Sequence, residues 1–593
     1  MRAVRLGLKL GCKTHRARCY VIAKPRSILT QYKDVTARHE WSLVFARCSS
    51  LASTQNSNGY SSQSPTIYAL STASGRAAIA IVRCSGNLCL EIYQALCPGA
   101  PPLKPRRAAL RTLLDPTCGG GKDTEVIDSQ ALLLYFPSPN TTTGEDVLEI
   151  HIHGGPAIIK ALLRAIPKCV PLSQSHIRYA EPGEFTRRAF YNNRLDLTQV
   201  EALGDILSAE TEQHRRLAVS GMSNTLNQRY RKWRTQLLCA RGELEALIDF
   251  AEDQHFDESA EDFVRSISKQ IRTLVSQINK TTANAAKGEL LRHGIKIALL
   301  GAPNAGKSSL LNRIVGREAA IVSSEAGTTR DVIEVNVDIG GFFCKFKDLA
   351  GIRSSATDNS TIGEIEQEGI NRAKAHAREA DIVIALIPFG QDQKSDDNTG
   401  LAFDLEILDF VKQELQEQKR VVFAMSKSDL ANQSAGELVE PAKLYLQNTL
   451  GVAVNMIPIS CLGDGDDTAQ SEIDSRGIQG LLDHLTREIS ELTAAEQIEE
   501  TSSANQSIDA SLGTTQRQQE LLKQCAAALQ EFLQIIHPNE LAGTTDTDEI
   551  DVVLAAEKLR VAADCLAKIT GQGESGDVEE VLGVVFEKFC VGK

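Results

Sequence analysis

The 593-residue chain has room for three or four domains at roughly 150 residues each. Hydrophobic residues make up 42% and charged residues 24%, a composition that excludes a disordered or fibrous protein. No apolar run approaches the roughly eighteen residues of a spanning helix, which excludes an integral membrane segment. The net charge of -12 is uneven: residues 1–64 hold eleven Lys or Arg against Asp34 and Glu40, a balance of +9, leaving -21 on the other 529 residues.

Taken in chain order, that basic start runs into a Ser-rich stretch from Ser49 to Ser64 and lacks a continuous apolar core. It resembles a mitochondrial presequence, so fold reasoning begins near Pro65, and the mature chain is expected in the mitochondrial matrix. From Thr66 to about Phe185 short apolar runs such as Ala77-Ile-Ala-Ile-Val82 and Val147-Leu-Glu-Ile-His-Ile152 alternate with Gly and Pro turns, a strand-rich pattern. Residues 187–290 are nearly free of Pro and place Leu237, Leu244, Leu247 and Ile248 at helical spacing. From Lys296 to about Leu485 strands alternate with amphipathic helices, as in a parallel α/β sheet. A polar stretch, Gln497–Gln519, reads as a linker, and helical periodicity then returns to the C-terminus. The α/β part therefore looks inserted between two halves of one helical domain. The fourteen cysteines are scattered without a Cys-x-x-Cys pair, so neither a zinc knuckle nor a disulfide framework is indicated.

Gly301-Ala-Pro-Asn-Ala-Gly306-Lys307-Ser308 has P-loop spacing, follows the apolar strand Ile297–Leu300 and opens a helix over Ser309–Ile314. Backbone N–H groups of such a loop, through Asn304, Ala305, Gly306 and Ser309, wrap phosphates; Lys307 adds a point charge and Ser308 a hydroxyl for Mg²⁺. Asp348-Leu349-Ala350-Gly351 has the D-x-x-G form of GTPases. Ser426-Lys427-Ser428-Asp429 stands where those proteins carry N-K-x-D. The Asp429 carboxylate can accept from guanine N1 and N2, which adenine does not offer, so the expected nucleotide is GTP. Ser426 in place of Asn offers a shorter group with fewer donors, so weaker guanine affinity is expected. Ser460-Cys461 occupies the last loop, where backbone N–H groups would meet guanine O6. Glu325-Ala326-Gly327-Thr328-Thr329-Arg330-Asp331 reads as a switch segment, with Thr329 completing the Mg²⁺ shell, and Ser323 and Ser324 just before it are further candidate contacts to the nucleotide. Ile352 follows Gly351, so another polar group must orient the attacking water.

Pro303-Asn-Ala-Gly-Lys-Ser-Ser-Leu-Leu-Asn312, Gly316-Arg-Glu-Ala-Ala-Ile-Val322 and Ala326-Gly-Thr-Thr-Arg-Asp331 closely resemble the MnmE/TrmE family of tRNA modification GTPases. Thr143-Gly-Glu-Asp-Val-Leu-Glu149, Glu181-Pro-Gly-Glu-Phe185, Asn193-Arg-Leu-Asp-Leu197 and Phe589-Cys-Val-Gly-Lys593 extend the likeness over nearly all of residues 66–593. The resemblance implies α/β plus α architecture: an α+β tetrahydrofolate-binding domain over 65–186, a discontinuous helical domain over 187–293 and 494–593, and an inserted Ras-like G domain over 294–493. It also implies a homodimer acting with an FAD-dependent MnmG/GidA-type partner on C5 of the wobble uridine of mitochondrial tRNAs. The carbon comes from 5,10-methylene-tetrahydrofolate and the amine is glycine or taurine. GTP hydrolysis in the family depends on K⁺, for which Asn304, Ser323, Glu325 and Thr328 match the ligand positions. Glu366, with Glu364 as the alternative register, matches the residue that positions water. Arg83, Glu149, Arg194 and Lys593 match folate positions, Arg194 replacing a Lys. Cys590 matches a suspected catalytic thiol, for which a structural role is equally open.

Other features have plainer readings. His151 and His153 share one strand face but lack a third ligand, so structural or pocket roles are expected rather than a metal site. Arg215, Arg216, Arg229, Arg231, Lys232 and Arg234, with Tyr230 and Trp233 between them, form either a solvated helix face or a surface for the tRNA backbone or a partner. A GTP-driven assembly factor would share the G-domain motifs; the N-terminal blocks and Lys593 favour the tRNA-modifying enzyme.

Overall fold

The computed structural model describes residues 64–116, 125–170, 177–250, 260–302, 304–317, 333–348, 372–389, 405–430, 435–462, 477–496, 511–537, 551–571 and 592. The basic leader up to residue 63 lies outside them, as do Ser323 to Thr329, Leu349 to Gly351, Glu364, Glu366, Cys590 and Lys593.

The first sheet has the order β3-β4-β5-β2-β1-β6, built from β1 (Thr66–Leu70), β2 (Ile79–Ser85), β3 (Ala109–Leu114), β4 (Val126–Phe136), β5 (Val147–His153) and β6 (Ile177–Tyr179). Only β1 and β6 pair in parallel. Side chains alternate as the period of two requires. Ala80, Val82 and Cys84 with Leu148, Ile150 and Ile152 face a core completed by helices α1 (Cys89–Leu96) and α2 (Pro156–Ala165). Ile81, Arg83, Glu149 and His151, only half-buried, belong to the opposite face. The helices between these strands were not legible in the strand-rich pattern.

Helix α3 (Glu184–Tyr191) leads through α4 (Leu197–Ser208) and α5 (Glu212–Gly221) to the long helices α6 (Thr225–Phe250) and α7 (Ala260–His293). The α/β segment follows as a six-stranded sheet. Its strands are β7 (Ile295–Gly301), β8 (Ile333–Ile339), β9 (Phe342–Asp348), β10 (Ile382–Pro388), β11 (Arg420–Ser426) and β12 (Met456–Pro458), in the order β12-β11-β10-β7-β9-β8. Every pairing except β8 with β9 is parallel. Such strands are covered on both faces, which explains their unbroken apolar runs; Leu299 and Ile384 pack on one side, Leu300 and Val383 on the other.

The chain then returns to the helices. The α/β segment also holds α8 (Lys307–Arg317), α9 (Leu405–Gln416), α10 (Ala435–Leu450) and α11 (Ile478–Leu492). Leu522, Leu529 and Phe532 of α12 (Gln516–Ile536) and Leu559 and Leu566 of α13 (Val552–Thr570) share one core with Tyr230, Trp233 and Leu237 of α6 and Ile267, Leu274 and Ile278 of α7. The helical domain is thus discontinuous in sequence and single in space. Of the expected linker, Gln516–Gln519 is already the first turn of α12. Tyr230 and Trp233 are fully buried, so the aromatics in the basic run are core residues and not stacking platforms. Arg231 and Lys232 remain exposed, while Arg215 and Arg216 both pair with Glu212.

One place joins departure and return. The Asn284 side chain donates to the Glu496 carbonyl at 3.0 Å and accepts from the Glu496 N–H at 2.7 Å. One turn later, a Cβ at Gly288 would stand 2.0 Å from the Leu512 carbonyl oxygen. Arg292, at the end of α7, donates to Asp205, Glu289 and the carbonyls of Gly513 and Thr514. Helix propensity alone would make Gly288→Ala stabilising by about 0.5–1 kcal/mol. The close approach reverses the sign: overpacking costs about 1–3 kcal/mol, so calorimetry of the full chain should record a lower melting temperature for the variant, and a raised one overturns the contact.

Candidate functional site

The P-loop sits at the carboxyl end of β7, between its neighbours β9 and β10, where ligands bind in open parallel sheets. Asn304 turns the loop with a left-handed φ of 62°, and α8 (Lys307–Arg317) starts at once, aiming its first N–H groups back at the loop. Lys307 Nζ lies across the loop, donating to the carbonyls of Gly301 and Ala302 at 2.8 and 3.0 Å. Burial pushes its ammonium below the usual lysine range, so a phosphate that replaces the two carbonyls meets a partly desolvated cation. Ser308 and Ser309 lie in the first turn of α8.

The base side is assembled from two further loops. Ser426 ends β11, and its buried hydroxyl donates to the Ala305 carbonyl at 2.6 Å, linking the strand to the P-loop. Lys427 takes a left-handed turn with φ 59°. The exposed Asp429 is oriented by the Ser460 hydroxyl, which donates to its Oδ1 at 2.6 Å. Ser428 N–H donates to the Ile459 carbonyl at 3.1 Å, so the two loops are joined by backbone as well. Cys461 follows Ser460, half-buried, with its thiol raised by burial. The structure therefore brings together Asn304 to Ser309, Ser426, Lys427, Asp429, Ser460 and Cys461. Asp348 is the last residue of β9, the strand beside β7. The expected K⁺ set is described only at Asn304 and the Mg²⁺ pair only at Ser308.

A second constellation lies on the half-buried face of the N-terminal sheet. Arg83 and Glu149 are cross-strand partners, and the guanidinium donates through Nε and Nη2 to Glu149 Oε1 at 3.1 and 2.9 Å. Its charge lies 6.0 Å from the centroid of the Phe185 ring. His151, two residues along, keeps Nε2 buried without a hydrogen-bond partner, 3.7 Å from the other Glu149 oxygen. Sequence spacing does not mark Phe185 as a site residue and leaves His151 between a structural and a pocket role. The period-two alternation of β5 was the available signal for His151, whereas Phe185 comes from a separate helix.

That helix, α3, is held by buried charge. Glu184 accepts from Arg178, Arg188 and the Glu181 N–H. Arg188, fully buried, also donates to Glu145 and to the Pro65 carbonyl. Burial raises the Glu184 carboxyl, but the bonds from Arg178, the Glu181 amide and Arg188 outweigh it and hold the group below the usual range. Arg194 does not join the Arg83–Glu149 pair: its Nε donates to the Thr141 carbonyl at 3.0 Å. The end of the chain does come to this sheet. The Gly592 carbonyl accepts from Ser71 Oγ at 3.0 Å, and a Cβ at Gly592 would stand 2.1 Å from the Leu70 carbonyl oxygen. Leu70 is next to Ala69, the partner of Arg83 on β1. Among the described residues no group of three His, Cys, Asp or Glu side chains could hold a metal; His153 instead contacts Asp128.

A P-loop at the end of a mostly parallel sheet, with a carboxylate on a neighbouring loop, defines a G domain, here inserted in a helical domain behind an α+β domain with its own polar cluster. The family description "GTP-binding protein TrmE N-terminus" matches residues 66–194, and "MnmE helical domain" matches 197–590. The mitochondrial tRNA modification GTPase mss1 of Schizosaccharomyces pombe is 36% identical over 90% of this chain and 96% of its own length. The tRNA modification GTPase MnmE of Parvibaculum lavamentivorans is 38% identical over 89% of this chain and all of its own. The mitochondrial 5-taurinomethyluridine-[tRNA] synthase subunit GTPB3 of Homo sapiens is 34% identical over 89% and 93%. The chain belongs to the MnmE/TrmE family of tRNA modification GTPases.

Proposed function

We propose that this mitochondrial tRNA modification GTPase works as a homodimer in which K⁺-dependent GTP hydrolysis drives modification of the wobble uridine at C5. Residues 65–186 bind the tetrahydrofolate derivative, 187–293 with 494–593 form the helical domain, and 294–493 the G domain. The chemistry is shared with an FAD-dependent MnmG/GidA-type partner, a methylene from 5,10-methylene-tetrahydrofolate being joined to an amine. Taurine is the favoured amine, because the human relative is named a 5-taurinomethyluridine synthase subunit. The observation that carries this reading is the collinear likeness over about nine-tenths of the chain to GTPases named for mitochondrial tRNA modification. Mass spectrometry of mitochondrial tRNA from cells lacking the protein should find the wobble uridine without its C5 group; intact modification overturns the proposal.

In the G domain, Lys307 exchanges its two loop carbonyls for phosphate oxygens, and the N–H groups of Asn304 to Ser309 surround the β-phosphate. Asp429, oriented by Ser460, accepts from guanine N1 and N2. Mg²⁺ on Ser308 and Thr329, and K⁺ on Asn304, Ser323, Glu325 and Thr328, would neutralise charge gathering on the phosphate oxygens when bound. Glu366 accepts a hydrogen bond from the water whose oxygen attacks the γ-phosphorus as the bond to the β–γ bridging oxygen breaks, giving GDP and phosphate. Phosphate release should be faster in K⁺ than in Na⁺, and Glu366→Ala should lower turnover about a hundredfold or more. Equal rates in the two salts overturn the K⁺ assignment; full activity in the variant overturns the residue.

The folate pocket is built on Arg83, Glu149 and Phe185, with Arg194 and Lys593 as further basic groups. A pterin offers N–H donors to a carboxylate and the folate tail offers carboxylates to cations. The unpartnered His151 Nε2 beside Glu149 fits a polar ligand there. Isothermal titration with 5-formyl-tetrahydrofolate should find binding to the wild-type chain and none to a folded Arg83→Ala variant; unchanged affinity overturns this pocket.

A further inference from the structure

We infer that Ser426 offers guanine N7 no donor, because its hydroxyl is committed to the P-loop. The inference rests on the reading of 304–309, 426–429 and 460–461 as a guanine-nucleotide site. A serine hydroxyl carries one proton. Here that proton goes to the Ala305 carbonyl, which can only accept, at 2.6 Å from a side chain that is 2% exposed. What remains on Ser426 Oγ is acceptor capacity, and N7 of guanine is itself an acceptor.

The position of the base follows from its two anchors. The phosphates lie in the P-loop and connect through the ribose to N9, so the imidazole ring, with N7, trails toward that loop. The N1 and N2 edge leads toward Asp429. Ser426 stands between the two: it is bonded to the P-loop, three residues before Asp429, on a strand whose last amide layer is tied to neighbouring loops through Phe389 N–H to the Ser426 carbonyl. That places its side chain at the level of the imidazole ring. An asparagine there has two protons on its amide nitrogen, enough to serve the Ala305 carbonyl and N7 together. Serine keeps the link between β11 and the P-loop and drops the contact with the base.

Recognition then rests on the N1, N2 and O6 edge. Its determinants are the Asp429 carboxylate, oriented by Ser460, and the amides of the 460–461 loop. The substitution therefore separates two duties that one asparagine would combine, loop tethering and purine reading.

Competition against a fluorescent GDP with the full chain tests this, using GDP, 7-deaza-GDP and IDP as competitors. The wild type should bind GDP and 7-deaza-GDP within twofold of each other and IDP about tenfold or more weakly, since loss of the N2 donor leaves the charged Asp429 short of a partner. Ser426→Asn should gain a three- to tenfold preference for GDP over 7-deaza-GDP, the value of about one neutral hydrogen bond. Ser426→Ala, which removes the tether alone, should weaken both guanine nucleotides by the same factor. A wild-type chain that itself loses threefold or more on 7-deaza-GDP overturns the inference. Failure of the guanine-site reading has a different signature: GDP and IDP then bind alike, or neither binds, and both proposals fall.

Discussion

The seating of the α/β segment in the helical domain depends on closing one loop of some two hundred residues at the end of a single helix. The Asn284 amide, donating to and accepting from the backbone of Glu496, reads the returning chain as a β-ladder would. A charged side chain could have supplied only one of those two bonds. With Gly288 against the Leu512 carbonyl and the Arg292 guanidinium on the carbonyls of Gly513 and Thr514, no water need enter the seam to satisfy these backbone groups. The consequence is mechanical. β7 begins three residues after Arg292, so the P-loop is joined to the helical core by one short connection whose two sides are both held.

The two polar sites use opposite physical solutions. In the G domain the site is built from backbone: loop amides, a helix N-terminus and the carbonyls of Gly301 and Ala302, which accept from Lys307. Such a site tolerates side-chain change, and Ser426 for Asn is an instance, because the tether to Ala305 needs only one donor. The N-terminal cluster is built from side chains, Arg83, Glu149 and His151 on paired strands and Phe185 on a helix held by the buried charges of Glu184 and Arg188. Each charge in that cluster is met by several partners, which is the condition under which buried ions hold a geometry at tolerable cost.

Local patterns were readable in advance. The P-loop spacing, the strand before it and the helix after it depend on contiguous residues, and the observed β7 and α8 extend the expected segments by a few positions. The alternation in β5 likewise placed His151 and His153 on one face, to which the structure adds Glu149 of the same strand and Arg83 of β2. Patterns that mix two roles misled: Tyr230 and Trp233 among arginines have the composition of a nucleic-acid surface, yet the helix turns both into the core and leaves Arg231 and Lys232 outside. The strand-rich impression of the first domain missed α1 and α2, which are only 8 and 10 residues long and so present few turns of helical periodicity.

What the sequence determined by itself was therefore the P-loop spacing with its flanking strand and helix, the alternation of the strands and family membership, all carried by residues close together in the chain. Tertiary structure decided where single protons and ring faces go. Ser426 finds its acceptor 121 residues away, and Ser71 meets Gly592 across 521. No periodicity encodes such pairings, because they depend on how three layers of structure close on one another rather than on the spacing within any of them.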